Sequence, residues 1–153
     1  MNVKVRWRTR TLKVKQLVER ADDGFELWRT RLITRLPIAR RTWDEIAETL
    51  SLEVDKARLA GASDPEEVIV ALCNSASAVG CADVVKERSS FGGPSAHVEL
   101  AEVIVAESTL RSVAFESADL TAARALRSKL AEDRLGTPEN YVALCRRIAL
   151  RTP

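Results

Sequence analysis

The chain has 153 residues, of which 46% are hydrophobic and 30% are charged. This composition excludes an intrinsically disordered protein, and no run approaches the roughly 20 apolar residues that span a bilayer. Aromatic residues make up only 5% of the chain, so the core must be built mainly from Leu, Val, Ile and Ala.

The net charge of +2 hides a strong asymmetry along the chain. Residues 1–41 contain 12 Lys and Arg against four acids, a balance of +8, whereas residues 42–153 contain 12 bases and 18 acids, a balance of −6. Such a split indicates that the N-terminal part meets an acidic partner. Nucleic acid, an acidic protein surface and the acidic part of the same chain are the three candidates.

The beginning of the chain has the two-residue period of β-strands. In VKVRWRT, two valines and a tryptophan alternate with basic residues. Two further runs flank Asp22-Asp23-Gly24, and Gly24 can supply the positive φ that a tight turn needs. Residues 1–36 are therefore predicted to form a basic β-hairpin or meander, which must pack against the rest of the chain or a partner.

The tetrapeptide WRTR occurs twice, at residues 7–10 and 28–31. On a strand, Trp and Thr of each copy would share one face and the two Arg the other, which predicts an apolar side and a basic side. Arginine binds phosphates in a bidentate manner and tryptophan stacks on unpaired bases, although two solvated strand faces are the simpler alternative. The predicted nucleic-acid contacts are Arg6, Arg8, Arg10, Arg29, Arg31, Arg35, Arg40 and Arg41.

Beyond Pro37 the pattern changes to a helical period. One helix is predicted to begin at Thr42, which has capping-box spacing to Glu45, and a second at Asp64-Pro65, reaching about residue 88. After the break SSFGGP, further helices are predicted over about 95–117, 119–136 and 137–150. The sequence therefore predicts a mainly α protein, a single domain over 1–153 with a bundle of about five helices in residues 42–150.

The segment TWDEIAETLSLEVDKARL resembles a helix-turn-helix motif. Ala47 stands where the two helices of that motif cross closely, and Arg58 lies late on the second helix, which enters the major groove. Ser51 replaces the usual turn glycine, and Glu53 and Asp55 place negative charge where phosphates would be met. A capped core helix is the alternative interpretation.

Catalytic and metal-binding patterns are weak. Ser95, His97 and Glu99 are close in sequence, but on the predicted helix residues two apart point to different sides and cannot align as a triad. The chain has a single His, which disfavours a Cys/His metal site. We therefore expect no enzyme, no catalytic residue, no metal and no cofactor.

The cysteines indicate a reducing compartment. Cys73, Cys81 and Cys145 are odd in number and show no CxxC spacing, so we expect free structural thiols rather than disulfides. The basic N-terminus lacks the apolar segment of a secretory signal. A cytoplasmic location is predicted.

The functional hypothesis is a non-enzymatic, nucleic-acid-associated protein, or a subunit of a nucleoprotein assembly, that contacts DNA or RNA through its basic N-terminal strands. The alternative is a protein-interaction or scaffold subunit whose basic strands dock onto an acidic partner or pair with a neighbouring sheet edge. Either role is compatible with a homo-oligomer or a larger complex, and neither requires a membrane.

Overall fold

The computed structural model describes residues 1–51, 62–74, 80–130, 136 and 138–149. The chain divides into two compact units, Met1–Cys81 and Ala82–Pro153. In the part described, each unit contains a three-stranded antiparallel sheet and two short helices. The protein is therefore mainly β, and the prediction of a mainly α bundle of about five helices is wrong.

The first unit begins with the predicted meander. Strands β1 (Asn2–Arg6), β2 (Thr11–Arg20) and β3 (Glu26–Arg35) form an antiparallel sheet in that order. Gly24 has a φ of 87° in the turn between β2 and β3, a left-handed conformation that glycine adopts without strain. The predicted strands and turn are confirmed.

One face of this first sheet, the covered face, packs against α1 (Arg40–Leu50) and α2 (Pro65–Asn74). Side chains alternate between the two faces of a strand, so the apolar residues at every second position of β1 and β2 point to these helices. The opposite side of the sheet is called the outer face. The buried core consists of Leu12, Val14, Leu36, Ile38, Trp43, Ile46, Ala62, Val68, Ala71 and Leu72.

The two helices begin differently. α1 follows Ala39, which makes no side-chain cap, so the helix starts before the predicted capping box at Thr42. α2 begins as predicted, because Asp64 Oδ1 accepts a hydrogen bond of 3.0 Å from the backbone N–H of Glu67. The second half of the helix-turn-helix resemblance falls on residues 52–61, outside the described residues.

The second unit begins with three strands, where the sequence predicts the end of one helix and the whole of another. β4 (Val84–Gly92), β5 (Ala96–Val105) and β6 (Ser108–Ser117) form the second sheet in that order. The apolar residues of β5 fit both a helical and a two-residue period, but its valines and isoleucine are stiff at χ1 and pack well on a pleated surface. The helix predicted over 95–117 is therefore wrong, and so is the end of the helix predicted from Asp64 to about residue 88, because β4 begins at Val84.

Helices α3 (Leu120–Lys129) and α4 (Tyr141–Ala149) complete the second unit. α4 packs on one face of the second sheet, where Ile148 joins the buried residues Ala101, Val103 and Val105. The opposite face is open to solvent at its centre, where hydrophobic residues flank a polar row of Glu87, Glu102 and Arg111. Its exposed hydrophobic residues include Val85, Leu100, Ile104 and Val113.

The cysteines also differ from expectation. Cys73, in α2, and Cys81 form a disulfide with a Cα–Cα distance of 6.7 Å, within the span that such a bridge allows. Cys145 is not part of a disulfide and is half-buried in α4. The prediction of free thiols is wrong for the first two cysteines, because spacing in the sequence does not show which positions a fold brings together.

Candidate functional site

The outer face of the first sheet gathers basic side chains from all three strands. The register places Lys4 directly opposite Lys13, and it places Arg6 and Arg35 on either side of Thr11. Successive rows of one face lie about 6.8 Å apart along a strand. We call the following five residues the basic face: Lys4, Arg6, Lys13, Lys15 and Arg35.

The charge on this face is concentrated. Among the described residues, Arg6, Lys15 and Arg35 have no ion-pair partner. A single-sign cluster of this kind produces a positive local potential that attracts anions.

A β-bulge in β3 reverses the sheet faces on which the side chains of the second WRTR copy lie. Val14 pairs with Leu32 but Lys15 pairs with Thr30, so one residue of β3, Arg31, is left over. The alternation of faces is reversed beyond such a bulge. Thr30 and Trp28 therefore share the outer face with the basic residues, and the prediction that Trp28 lies on the side away from the basic charges is wrong.

Hydrogen bonds fix the position of Trp28 at one end of the basic face. Its Nε1–H donates to Glu26 Oε2 at 2.8 Å, and Arg20 Nη2 donates to Glu26 Oε1 at 2.5 Å. Leu17 of β2 lies directly opposite Trp28 in the register of the two strands. Glu26 thus holds the indole on one side and a guanidinium on the other.

The first WRTR copy forms a turn rather than a strand. Residues 7–10 connect β1 and β2, and Trp7 is 54% exposed there. Arg10 has a φ of 49°, and its Nη2 donates to the backbone oxygen of Ser63 at 2.6 Å. Its own backbone oxygen accepts a hydrogen bond from Leu36 N at 2.9 Å, so Arg10 ties the turn to two other segments of the unit.

The predicted arginines are thus not brought together as one surface. Thr11 of β2 directly follows the turn formed by the first WRTR copy, and Gln16 of β2 pairs with Arg29 of the second copy. The five residue steps between Thr11 and Gln16 span about 17 Å along the strand. Arg41 lies on α1 and pairs with Glu45 at 3.7 Å. The structure places Arg6 and Arg35 on the basic face, Arg8 and Arg10 in the turn, Arg29 opposite Gln16, Arg31 in the bulge, and Arg40 and Arg41 at the start of α1.

Three lysines of the basic face were missed by the sequence prediction. Lys13 and Lys15 alternate with the buried Leu12 and Val14, and Lys4 is opposite Lys13. The two-residue period of TLKVK was a sufficient signal for the residues of β2. The pairing with Lys4 depends on the strand register, which the sequence alone did not give.

A second polar cluster lies on the face of the second sheet that α4 covers. Glu99 is 1% exposed and accepts hydrogen bonds from Lys86 and from Arg88, the latter at 2.7 Å. Burial raises the pKa of Glu99, but the hydrogen bonds from Lys86 and Arg88 outweigh burial and hold the pKa below its ordinary value. Burial lowers the pKa of Lys86, and its contacts with Glu99 and Tyr141 raise it further than burial lowers it.

Tyr141 connects this cluster to α4. Its ring centroid lies 4.5 Å from Lys86 Nζ, a cation–π distance, and its hydroxyl lies 3.1 Å from Ser112 Oγ. The polar groups therefore join the helix to two strands of the sheet. They stabilise the fold of the second unit and show no arrangement of nucleophile and base.

The segment PSAHVE leads into strand β5 rather than into a helix. His97 and Glu99 are two apart on a strand and share a face, so the predicted divergence on a helix is wrong. His97 Nε2 lies 3.4 Å from Glu116 Oε2, whereas Ser95 precedes the strand and its backbone oxygen accepts a hydrogen bond from Ser117. The three side chains are thus not joined in one hydrogen-bonded series.

In the part of the chain that the structure describes, no group of three or more His, Cys, Asp or Glu side chains could hold a metal ion. Likewise, none of the described helices is long and apolar enough to cross a membrane. No protein-family model, curated protein or solved structure matches this chain. Function must therefore be inferred from the geometry and charge of its own residues.

Proposed function

We propose that the protein is a non-enzymatic nucleic-acid-binding protein, or a subunit of a nucleoprotein assembly, and that the basic face is its contact surface. The observation that carries the proposal is the convergence of five basic side chains from three strands on one face. Lysine and arginine neutralise backbone phosphates, and arginine also binds phosphate oxygens in pairs.

The charge of the basic face supports a partner for it. In the part of the chain that the structure describes, Arg6, Lys15 and Arg35 make no ion pair, so their charges are not neutralised there. A positive cluster of this kind attracts a negatively charged ligand.

The two described acidic helices of the same unit do not cover the basic face. α1 carries Asp44, Glu45 and Glu48, and α2 carries Glu66 and Glu67. Both helices pack on the covered face, on the other side of the sheet. Of the three acidic partners considered from the sequence, neutralisation by these two helices is thus disfavoured.

An acidic protein surface is an alternative partner, since it offers the same charge. Nucleic acid is favoured because Trp28 lies on the basic face, where an indole ring can contact a base. A protein partner could also pair with β1 or β3, which are edge strands of the sheet.

The test is fluorescence anisotropy of labelled DNA and RNA, titrated with the full chain at low and near-physiological salt. A basic-face variant, Arg6→Gln/Lys15→Gln/Arg35→Gln, is compared with a matched variant in the second unit, Arg111→Gln/Lys129→Gln/Arg146→Gln. The two variants lose the same charge. We expect the first to make the slope of log K against log salt shallower by about 2 to 3, and the second to leave it unchanged.

Equal binding by both variants would contradict the assignment of the basic face. Absence of binding at low salt would contradict nucleic-acid binding itself. Tight binding to a poly-glutamate peptide, with none to nucleic acid, would favour the acidic protein partner.

A further inference from the structure

Trp28 offers a stacking surface at the end of the basic face that lies away from the β1–β2 turn. It is next to the row of Lys15 and Thr30. Its single hydrogen-bond donor is already used by Glu26, so its edge cannot read a base. The remaining contact that a partly exposed indole can make is through its ring, and every nucleic-acid base has a face that stacks on such a ring.

Trp7 lies at the opposite end of the same sheet, in the turn that follows β1. About half of its surface is in water. The rows of the basic face lie between the two tryptophans along the strand direction, and the six residue steps from Thr11 to Leu17 span about 20 Å. The two WRTR copies therefore differ in conformation, yet their tryptophans lie towards opposite ends of the sheet that carries the basic face.

The shape of the basic face disfavours a duplex. Three strands spaced about 4.8 Å apart form a surface about 14 Å wide, broader than the roughly 12 Å major groove, which admits one helix or a two-stranded ribbon. The β2–β3 turn is a poor probe for a groove, because Asp22 and Asp23 would meet phosphates there. Bases in a duplex are also stacked on each other and closed to an indole.

We infer that the basic face binds single-stranded DNA or RNA, with the phosphates along its Lys and Arg rows and bases stacked on Trp28 and Trp7. This inference rests on the proposed nucleic-acid binding. It adds the form of the ligand and two aromatic contact residues that charge alone does not identify.

The experiment titrates the full chain with oligo-dT, oligo-U and a hairpin duplex carrying the same number of phosphates. Binding is followed by anisotropy of the labelled ligand and by tryptophan emission. The variants are Trp28→Leu and Trp7→Leu, which keep apolar bulk but remove the ring. Trp43 is 2% exposed in the core, so its emission reports whether each variant remains folded.

We expect both single strands to bind more tightly than the duplex and to quench tryptophan emission. Trp28→Leu should weaken single-strand binding by about 5- to 100-fold, the range found for loss of one stacked base. The affinity for the duplex should not change.

If Trp28→Leu does not fold, acrylamide quenching of the unmodified chain gives the answer. A bound single strand must then protect Trp7, which is exposed, and Trp28, which is half-buried. Unchanged quenching would overturn the inference. Equal affinity for duplex and single strands, with no effect of either variant, would also overturn it while leaving nucleic-acid binding intact. No binding to any of the three ligands would overturn both proposals.

Discussion

At the scale of single residues, Glu99 combines deep burial with two cationic partners. Glu99→Gln keeps its shape but leaves Lys86 and Arg88 beside a neutral amide. We expect the free energy of unfolding of the second unit to fall by about 2 kcal/mol, less than the loss of a fully buried pair, because Arg88 is 60% exposed and keeps water contacts. Urea denaturation at pH 7 measures this change. Glu102→Gln, exposed on the opposite face, is the control, and an equal loss there would contradict the expectation.

The same carboxylate predicts a pH dependence of stability. The pKa of Glu99 in the folded protein lies below its ordinary value, which is about 4.3 in an unfolded chain. Its stabilising contribution is therefore complete above that unfolded value and is lost as the pH falls through the folded pKa. Denaturation curves from pH 7 to pH 3 should show the difference between the parent and Glu99→Gln shrinking below about pH 4. A difference that stays constant over this range would rule out the charge as its source.

Individual residues also show where sequence prediction reaches its limit. Arg10 looks the same as Arg8 in the sequence, but the fold brings it to Ser63, 53 residues away. We expect Arg10→Ala to lower the free energy of unfolding of the first unit by about 1 kcal/mol through loss of this hydrogen bond. Thermal denaturation would reveal the change, with Arg8→Ala as the control in the same turn. An unchanged stability would show that the Ser63 contact contributes nothing.

At the scale of elements, the turn between β4 and β5 depends on one glycine. Gly92 has a φ of 130°, and an added Cβ would lie 2.7 Å from Ala96 O and 2.9 Å from His97 Cα. Both contacts are with backbone atoms, so no side-chain movement can relieve them. We expect Gly92→Ala to destabilise the second unit by about 2 kcal/mol or more. Gly93→Ala, with nothing within 4 Å of the new Cβ, should have a much smaller effect, and equal losses by denaturant unfolding would contradict this explanation.

The disulfide between Cys73 and Cys81 gives a second prediction at this scale. The two cysteines are eight residues apart, and closing a loop of that length stabilises a protein by about 2 kcal/mol through the unfolded chain. A reducing agent should therefore lower the melting temperature of the parent. Cys73→Ser/Cys81→Ser should melt at the reduced temperature with or without the reagent. Identical melting of the oxidised and reduced parent would exclude a stabilising role.

The elements also divide into those that the sequence predicted and those that it did not. β1 to β3 were recognised because basic and apolar residues alternate strictly and Gly24 marks the turn. β5 was missed because Val98, Ala101 and Val105 fit helical spacing, whereas Ala101, Val103 and Val105 fit strand spacing. Only the pairing with β4 and β6 decides between the two patterns. The basic face was half predicted, since charge identified the strands but the bulge at Arg31 decided which side chains share a face.

At the scale of the whole molecule, charge is distributed differently from the simple N-terminal excess seen in the sequence. Residues 1–81 contain 14 bases and 12 acids, and residues 82–153 contain 10 of each. The units are thus nearly neutral, and the positive potential of the first arises because its sheet separates bases on the outer face from the helices on the covered face. Charge separation within one unit, rather than net charge, is what the proposed binding requires.

This separation predicts that nucleic-acid binding belongs to the first unit. Residues 1–81 contain a complete core cluster and the disulfide, so we expect this fragment to fold alone, although a domain of this size is only marginally stable. It should bind a single strand with the salt dependence of the full chain, whereas residues 82–153 should not bind. Circular dichroism melting establishes folding, and anisotropy titrations at several salt concentrations measure binding. A folded first fragment that fails to bind would show that the second unit supplies necessary contacts, and binding by the second fragment would place the site there instead.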